Sequence, residues 1–152
     1  MKISVVIPTY NREEHLSNCL FSLLNQTKKP FEILVIDNSD NSYAKKVVKI
    51  FEERFKQQNI SIYFFKNPIN SGAIARNLGA SKAKGDLIAF LDDDVLLDSN
   101  YYEEIEKVFL EYPDALGVHG YNKLTNKSYE EMKNSFLYSL LEKFVKFFKI
   151  SS

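Results

Sequence analysis

Cysteine is nearly absent from this chain of 152 residues, with Cys19 as its sole representative. One thiol excludes an internal disulfide framework and a cysteine-built metal cluster. Cys19 lies beside Leu20, Leu23 and Leu24, so it reads as a small buried hydrophobe rather than a catalytic nucleophile. Surplus charge is missing as well. Twenty basic and twenty acidic residues cancel to a formal net charge of +0, which removes the general attraction that binding to nucleic acid relies on. No run approaches the roughly 18 uninterrupted apolar residues of a membrane span. The apolar run at residues 3–7 is too short for the hydrophobic core of a signal peptide. These absences lead to the expectation of a cytoplasmic protein, or one held peripherally at the inner membrane face. Histidine is scarce: His15 and His119 stand far apart, neither with a second ligand at metal spacing.

What is present is ordinary globular material, 45% hydrophobic and 26% charged, enough to bury a core without staples at this length. Apolar runs of strand length alternate with helical patterns. Strands are predicted over residues 3–7, 32–36, 60–65 and 87–91, with a fifth at Ala115–Val118. Helices are predicted over residues 13–25, 42–57, 71–82 and 101–111. Asn100 is the expected N-cap of the last, with Glu103 as its capping-box partner. Strand and helix in strict alternation imply βαβ units and a parallel sheet. Continuous apolar strands such as Val5-Val6-Ile7 and Ile33-Leu34-Val35-Ile36 imply helices on both faces. The fold class is therefore α/β, Rossmann-like and mostly parallel.

Ligands of such sheets sit at the carboxyl ends of the strands, near the point where strand order reverses. The segments there are Pro8-Thr9-Tyr10-Asn11-Arg12, Asp37-Asn38-Ser39-Asp40, Asn67 to Gly72, and Asp92-Asp93-Asp94. The last is the sharpest signal. On a continuing strand, Asp92 and Asp94 would project to one side and Asp93 to the other. Adjacent carboxylates repel one another and are costly to desolvate. A hard divalent ion, Mg²⁺ or Mn²⁺, relieves both problems; a solvated acidic turn is the plainer alternative. Asp37 can accept hydrogen bonds from a base or ribose, or close an Asx-turn. Residues 8–12 contain no glycine. That argues against the glycine-rich dinucleotide fingerprint and the phosphate loop, and implies that side chains and metal hold any nucleotide. Ser71 can cap the helix that Gly72 opens, and its N-terminus favours anions. Arg76 can meet phosphate with its fork of donors or remain a solvated helix arginine. Gly79 falls inside the same helix, where close packing on the sheet would account for it.

These segments together resemble family-2 glycosyltransferases of the GT-A fold. The resemblance is carried by residues 4–12, 20–27 and 32–40, by Asn70-Ser71-Gly72 with Ala75-Arg76-Asn77-Leu78-Gly79, and by Gly85-Asp86 with Phe90-Leu91-Asp92-Asp93-Asp94. The aspartate triplet resembles that family's DxD motif. The resemblance implies a nucleoside-diphosphate sugar as donor, a UDP-sugar first, and a saccharide or lipid-linked acceptor. It implies that Pro8, Tyr10 and Asp37 surround the base and that Thr9 and Arg12 belong to the same substrate-binding set. Arg76 is implied near the donor, Asp92 and Asp93 near ribose and sugar, and Asp92 with Asp94 as ligands of Mn²⁺ or Mg²⁺. No catalytic residue is assigned. The family's inverting members draw a carboxylate base from a later region, and Glu130, Glu131 and Glu142 are available without one standing out.

The expected organisation is a nucleotide-sugar-binding domain over residues 1–120 and a helical tail over 121–152, with the acceptor half incomplete. In the tail, Phe136, Leu137, Leu140, Leu141, Phe144, Val145, Phe147 and Phe148 form an apolar stripe interrupted by lysines. Such an amphipathic helix packs on the sheet, covers the site, self-associates or lies on a membrane surface. Two further functions compete with sugar transfer. One is a truncated, non-catalytic nucleotide-sugar-binding or interaction module. The other is a nucleotidyltransferase, which the missing glycine-rich loop disfavours.

Overall fold

The structure, a computed structural model, describes residues 1–120. Eight elements alternate in order: β1 (Ile3–Thr9), α1 (Glu13–Leu24), β2 (Glu32–Asp37), α2 (Tyr43–Gln57), β3 (Ser61–Lys66), α3 (Gly72–Lys82), β4 (Leu87–Phe90) and α4 (Tyr101–Glu111). The four strands form one parallel sheet in the order β3-β2-β1-β4. Residues Met1–Ala115 make one compact unit.

Side-chain alternation along β1 divides the core into two. Ile3, Val5 and Ile7 join Ile33 and Val35 of β2 on one face. They pack against Leu16, Leu20 and Leu23 of α1, Val48, Phe51 and Phe55 of α2, and Tyr102 of α4. Val6, Leu34 and Ile36 point to the other face and meet Ala75 of α3, with Phe65 and Leu78 beside them. Each of these fully buried aliphatic side chains contributes about 1.5–3 kcal/mol of transfer free energy. β1 and β2 are buried along their whole length, as their continuous apolar sequences predict.

The position of α3 follows from the strand order. The chain steps from β1 to β2 to β3 in one direction, then crosses back over β1 to form β4. Crossovers keep one hand, so a crossover running the other way must lie on the opposite face. That reversal makes the gap between β1 and β4 the topological switch point.

Several element ends differ from prediction. No strand forms at Ala115–Val118, and β4 stops at Phe90, where the chain turns away with the Val95 N–H donating to the Asp92 carbonyl at 3.2 Å. The Asn100 capping box does not form, because Glu103 is drawn elsewhere. It accepts the Thr27 hydroxyl at 3.0 Å, and the Asn100 side chain makes no cap bond. The Ser71 cap does form, its hydroxyl accepting the Ile74 N–H at 3.4 Å. Among the described residues no helix is long and apolar enough to cross a membrane. The predicted amphipathic helix of residues 121–152 lies outside the described residues.

Gly79 is the tightest contact between α3 and the sheet. A Cβ there would fall 2.2 Å from Val6 Cγ1. Gly79→Ala is expected to destabilise the chain by about 1–3 kcal/mol through overpacking, although alanine gains about 1 kcal/mol of helix propensity. Urea unfolding of the two proteins measures this, and an unchanged or raised midpoint would show that the interface yields.

Candidate nucleotide-sugar site

The end of β1 turns into α1 without glycine because Asn11 adopts the left-handed conformation at φ 51°, which asparagine tolerates better than most residues. The turn is pinned on both sides. The Asn11 N–H donates to Ser39 Oγ at 2.8 Å, and Asn41 Nδ2 donates to Asn11 Oδ1 at 2.6 Å. This arrangement delivers Thr9, Tyr10 and Arg12 to the mouth of the switch point.

Across the gap, the three aspartates divide their labour. Asp93 is buried at 5% exposure. Its Oδ2 accepts the Thr9 hydroxyl at 2.7 Å, and Arg12 Nη1 approaches its Oδ1 at 3.5 Å. Thus Asp93 ties the end of β4 to the end of β1. Asp92 and Asp94 are the exposed pair, with side chains 59% and 48% accessible. Arg12 Nη1 donates to Asp94 Oδ2 at 3.0 Å, and Arg76 Nη2 pairs with Asp92 Oδ1. The predicted alternation of the triplet is therefore present, produced by a turn rather than by a continuing strand.

These residues line one cleft of about 280 Å³. The structure brings Pro8, Thr9, Tyr10, Arg12, Arg76, Asp92, Asp93 and Asp94 together on its wall. Asp37 is not on that wall. Its carboxylate is wholly buried, accepting the Ser39 N–H at 2.9 Å and Lys66 Nζ at 3.3 Å, which is the Asx-turn geometry. The neighbouring Asn38 lines the cleft instead, with Asn70 and Gly72 at the start of α3. These three were within the strand-end segments but not in the predicted set. Side-chain type alone gave them no chemistry, whereas position at a strand end or helix N-terminus did.

Behind the cleft, the end of α1 grips the chain that follows the aspartates. Gln26 is 1% exposed; its Nε2 donates to the Asp98 carbonyl at 2.7 Å and its Oε1 accepts the Tyr102 N–H at 3.2 Å. Ser22 Oγ accepts the Leu97 N–H at 3.3 Å, and the Thr27 N–H donates to the Ser99 carbonyl at 2.7 Å. Cys19 packs here too, its thiol 3.8 Å from the Asp92 carbonyl. Burial, with the negative charge of Asp93, Asp94 and Asp92 behind it, pushes its pKa up to about 12. It is a core thiol, as expected, and not a nucleophile.

A hard divalent ion takes oxygen ligands and commonly shares them with phosphate and water. The half-exposed carboxylates of Asp92 and Asp94 fit that need on the cleft wall. Asp93, committed to Thr9 and Arg12, does not, and among the described residues no cluster of three or more metal-ligating side chains forms.

Comparison with known proteins places these features in context. The sequence profile of Glycosyl transferase family 2 matches residues 4–152. The chain is similar to the glycosyltransferase GlyA of Streptococcus pneumoniae, at 29% identity over 92% of this chain and 19% of that protein. It therefore spans about a fifth of that relative. Among solved structures, it resembles S. aureus TarS 1-349 in complex with UDP-GlcNAc, with a TM-score of 0.62 and 25% identity over 74% of this chain and 32% of that one. The fold is also that of the Pyrobaculum calidifontis mannosyltransferase PcManGT in complex with GDP-Man and Mn²⁺. There the TM-score is 0.55 and the identity 21%, over 62% of this chain and 28% of that one.

The division among the aspartates predicts opposite consequences for neighbouring substitutions. Asp93→Ala strands a buried hydroxyl and is expected to cost about 1–3 kcal/mol of stability, whereas Asp94→Ala should stay within about 0.5 kcal/mol. Chemical denaturation of the pair reads this directly. Equal losses would mean that Asp93 is no more structural than its neighbour.

Proposed function

The chain belongs to glycosyl transferase family 2, and from that membership we propose that it is the donor-binding part of an enzyme that transfers a sugar from a nucleoside diphosphate to a saccharide or lipid-linked acceptor. The observation that carries the proposal is the convergence at one switch point of two exposed carboxylates, two arginines and the N-terminus of α3. A diphosphate held with a divalent cation is a ligand that calls for both signs of charge at once. UDP is the proposed nucleotide, supported by the UDP-GlcNAc bound to the S. aureus relative.

In this proposal Tyr10, 44% exposed at the cleft mouth, offers its ring to the base beside Pro8 and Asn38. Thr9 acts through Asp93, holding the aspartate turn against β1. Asp37 acts from behind, fixing the Asn38-Ser39 turn through its bond to the Ser39 N–H. Arg12, Arg76 and the first amides of α3 face the diphosphate, where charge grows as the sugar bond breaks. Asp92 and Asp94 hold a divalent ion, Mn²⁺ or Mg²⁺, whose chemistry is to offset charge on the departing diphosphate. Residues 1–120 form the donor half. The apolar stripe in the sequence of residues 136–148 supports contact with a membrane surface or self-association.

A second reading, donor binding without transfer, is favoured by one feature. Among the described residues lining the cleft, the carboxylates are Asp92, Asp93 and Asp94 alone, and none of them is free to deprotonate an acceptor hydroxyl. Sugar transfer or donor hydrolysis by the chain separates the two readings.

UDP, GDP, dTDP and CDP, each with and without Mn²⁺, are to be compared by thermal shift. UDP with Mn²⁺ is expected to stabilise the chain by about 2.7 kcal/mol at a hundredfold excess over Kd, and Asp94→Ala to lose the metal-dependent part. A folded chain that no nucleotide stabilises would contradict the proposal.

A further inference from the structure

Resting on the donor-site reading above, we propose that Arg12 and Arg76 are exchangeable counter-ions. They hold Asp94 and Asp92, and pass to the nucleotide's diphosphate when a divalent cation takes those carboxylates, so that cation and nucleotide load as one unit.

Four observations carry this inference. The two carboxylates best placed for a cation are the two already engaged by guanidinium groups, Arg12 on Asp94 at 3.0 Å and Arg76 on Asp92. A cation entering between them competes for the same oxygens and meets two positive charges at close range. Secondly, both arginines are solvent-exposed. Their side chains are 53% and 39% accessible and come from the turn between β1 and α1 and from α3, so moving either does not open the core.

Thirdly, each has a setting suited to its second partner. Arg12 keeps a contact to the buried Asp93 at 3.5 Å, which anchors it at the cleft after Asp94 is taken. Arg76 lies over the start of α3, where a Cβ on Gly72 would sit 3.2 Å from its Nη1. The glycine leaves that guanidinium room beside the helix N-terminus, and both are anion donors. An arginine fork matches phosphate oxygens in pairs.

Finally, the charge of the cleft stays near its starting value only when both ligands arrive together. Three carboxylates against two guanidinium groups leave one negative charge in excess. A divalent cation alone reverses that to one positive charge in excess, and a diphosphate alone deepens the negative excess. Together they come close to restoring the original balance, with every group paired. Such coupling is reciprocal: whatever factor the nucleotide adds to cation affinity, the cation adds to nucleotide affinity.

The test measures Mn²⁺ affinity from the spin-resonance signal of the free ion, with and without UDP, in the wild-type chain and in Arg12→Gln and Arg76→Gln. UDP affinity is measured by calorimetry at saturating Mn²⁺. In the wild type, UDP is expected to tighten Mn²⁺ binding about tenfold or more. Each glutamine variant is expected to bind Mn²⁺ alone more tightly than the wild type, to bind UDP more weakly, and to show weaker coupling between the two. Arg12→Lys, which keeps the charge without the fork, should restore the weak binding of Mn²⁺ alone but not the UDP affinity. Urea midpoints of the variants confirm folding. If wild type binds UDP with Mn²⁺ but the glutamine variants bind Mn²⁺ alone no more tightly, the exchange is overturned and the donor site stands. Equal Mn²⁺ affinity with and without bound UDP in the wild type also overturns the exchange. Failure of the wild type to bind UDP at saturating Mn²⁺ overturns the donor site and the exchange with it.

Discussion

Three carboxylates at the end of one four-residue strand cannot be left to one another, and much of the surrounding structure answers the question of what neutralises them. Burying an unpaired carboxylate is prohibitive, while a paired and hydrogen-bonded one is tolerable. Asp93 meets that condition through Thr9 and Arg12 and becomes the tie between β1 and β4. Asp92 and Asp94 meet it at the surface, where exchange of partners costs less. The same triplet therefore provides both the fixed frame of the cleft and its two exposed carboxylates.

The sheet decides where this happens. Because α3 crosses back over β1, β4 lies on the far side of β1 from β2, and the cleft opens between strands whose following segments diverge. The reversal also brings the N-terminus of α3 and Arg76 to the aspartates from one side, while Arg12 approaches from the other. The clamp of Ser22, Gln26 and Thr27 on residues 97–102 holds the returning chain on the opposite face. The chain that follows the aspartates is thus held by hydrogen bonds to its backbone from α1 and the residues just after it.

Most of the architecture was legible in the sequence because both strong periodicities are there. Continuous apolar strands fixed the parallel sheet with two covered faces, and Leu16, Leu20 and Leu23 marked the inner side of α1. The meeting of Asp92–Asp94, Arg12 and Arg76 on one cleft wall was legible because segments that follow neighbouring parallel strands converge at one end of the sheet. What escaped were decisions settled by tertiary partners. Glu103 left its cap for Thr27, β4 ended one residue early as the aspartate turn began, and the chain at Ala115–Val118 found no strand to pair with. Asp37 presented a ligand-like carboxylate in sequence, yet its own turn and Lys66 take it up. Gln26 showed no sign of its grip on Asp98 and Tyr102, since a buried glutamine is recognisable only once its partners are known.

Amide chemical-shift mapping of the chain titrated with UDP and Mg²⁺ tests the central claim most directly. The account predicts shifts concentrated at residues 8–12, 38, 70–76 and 92–94, at the carboxyl ends of β1 and β4 and the start of α3. Shifts gathered instead around Glu32 and Gly85, at the opposite end of the sheet, or none at saturating nucleotide, would contradict it.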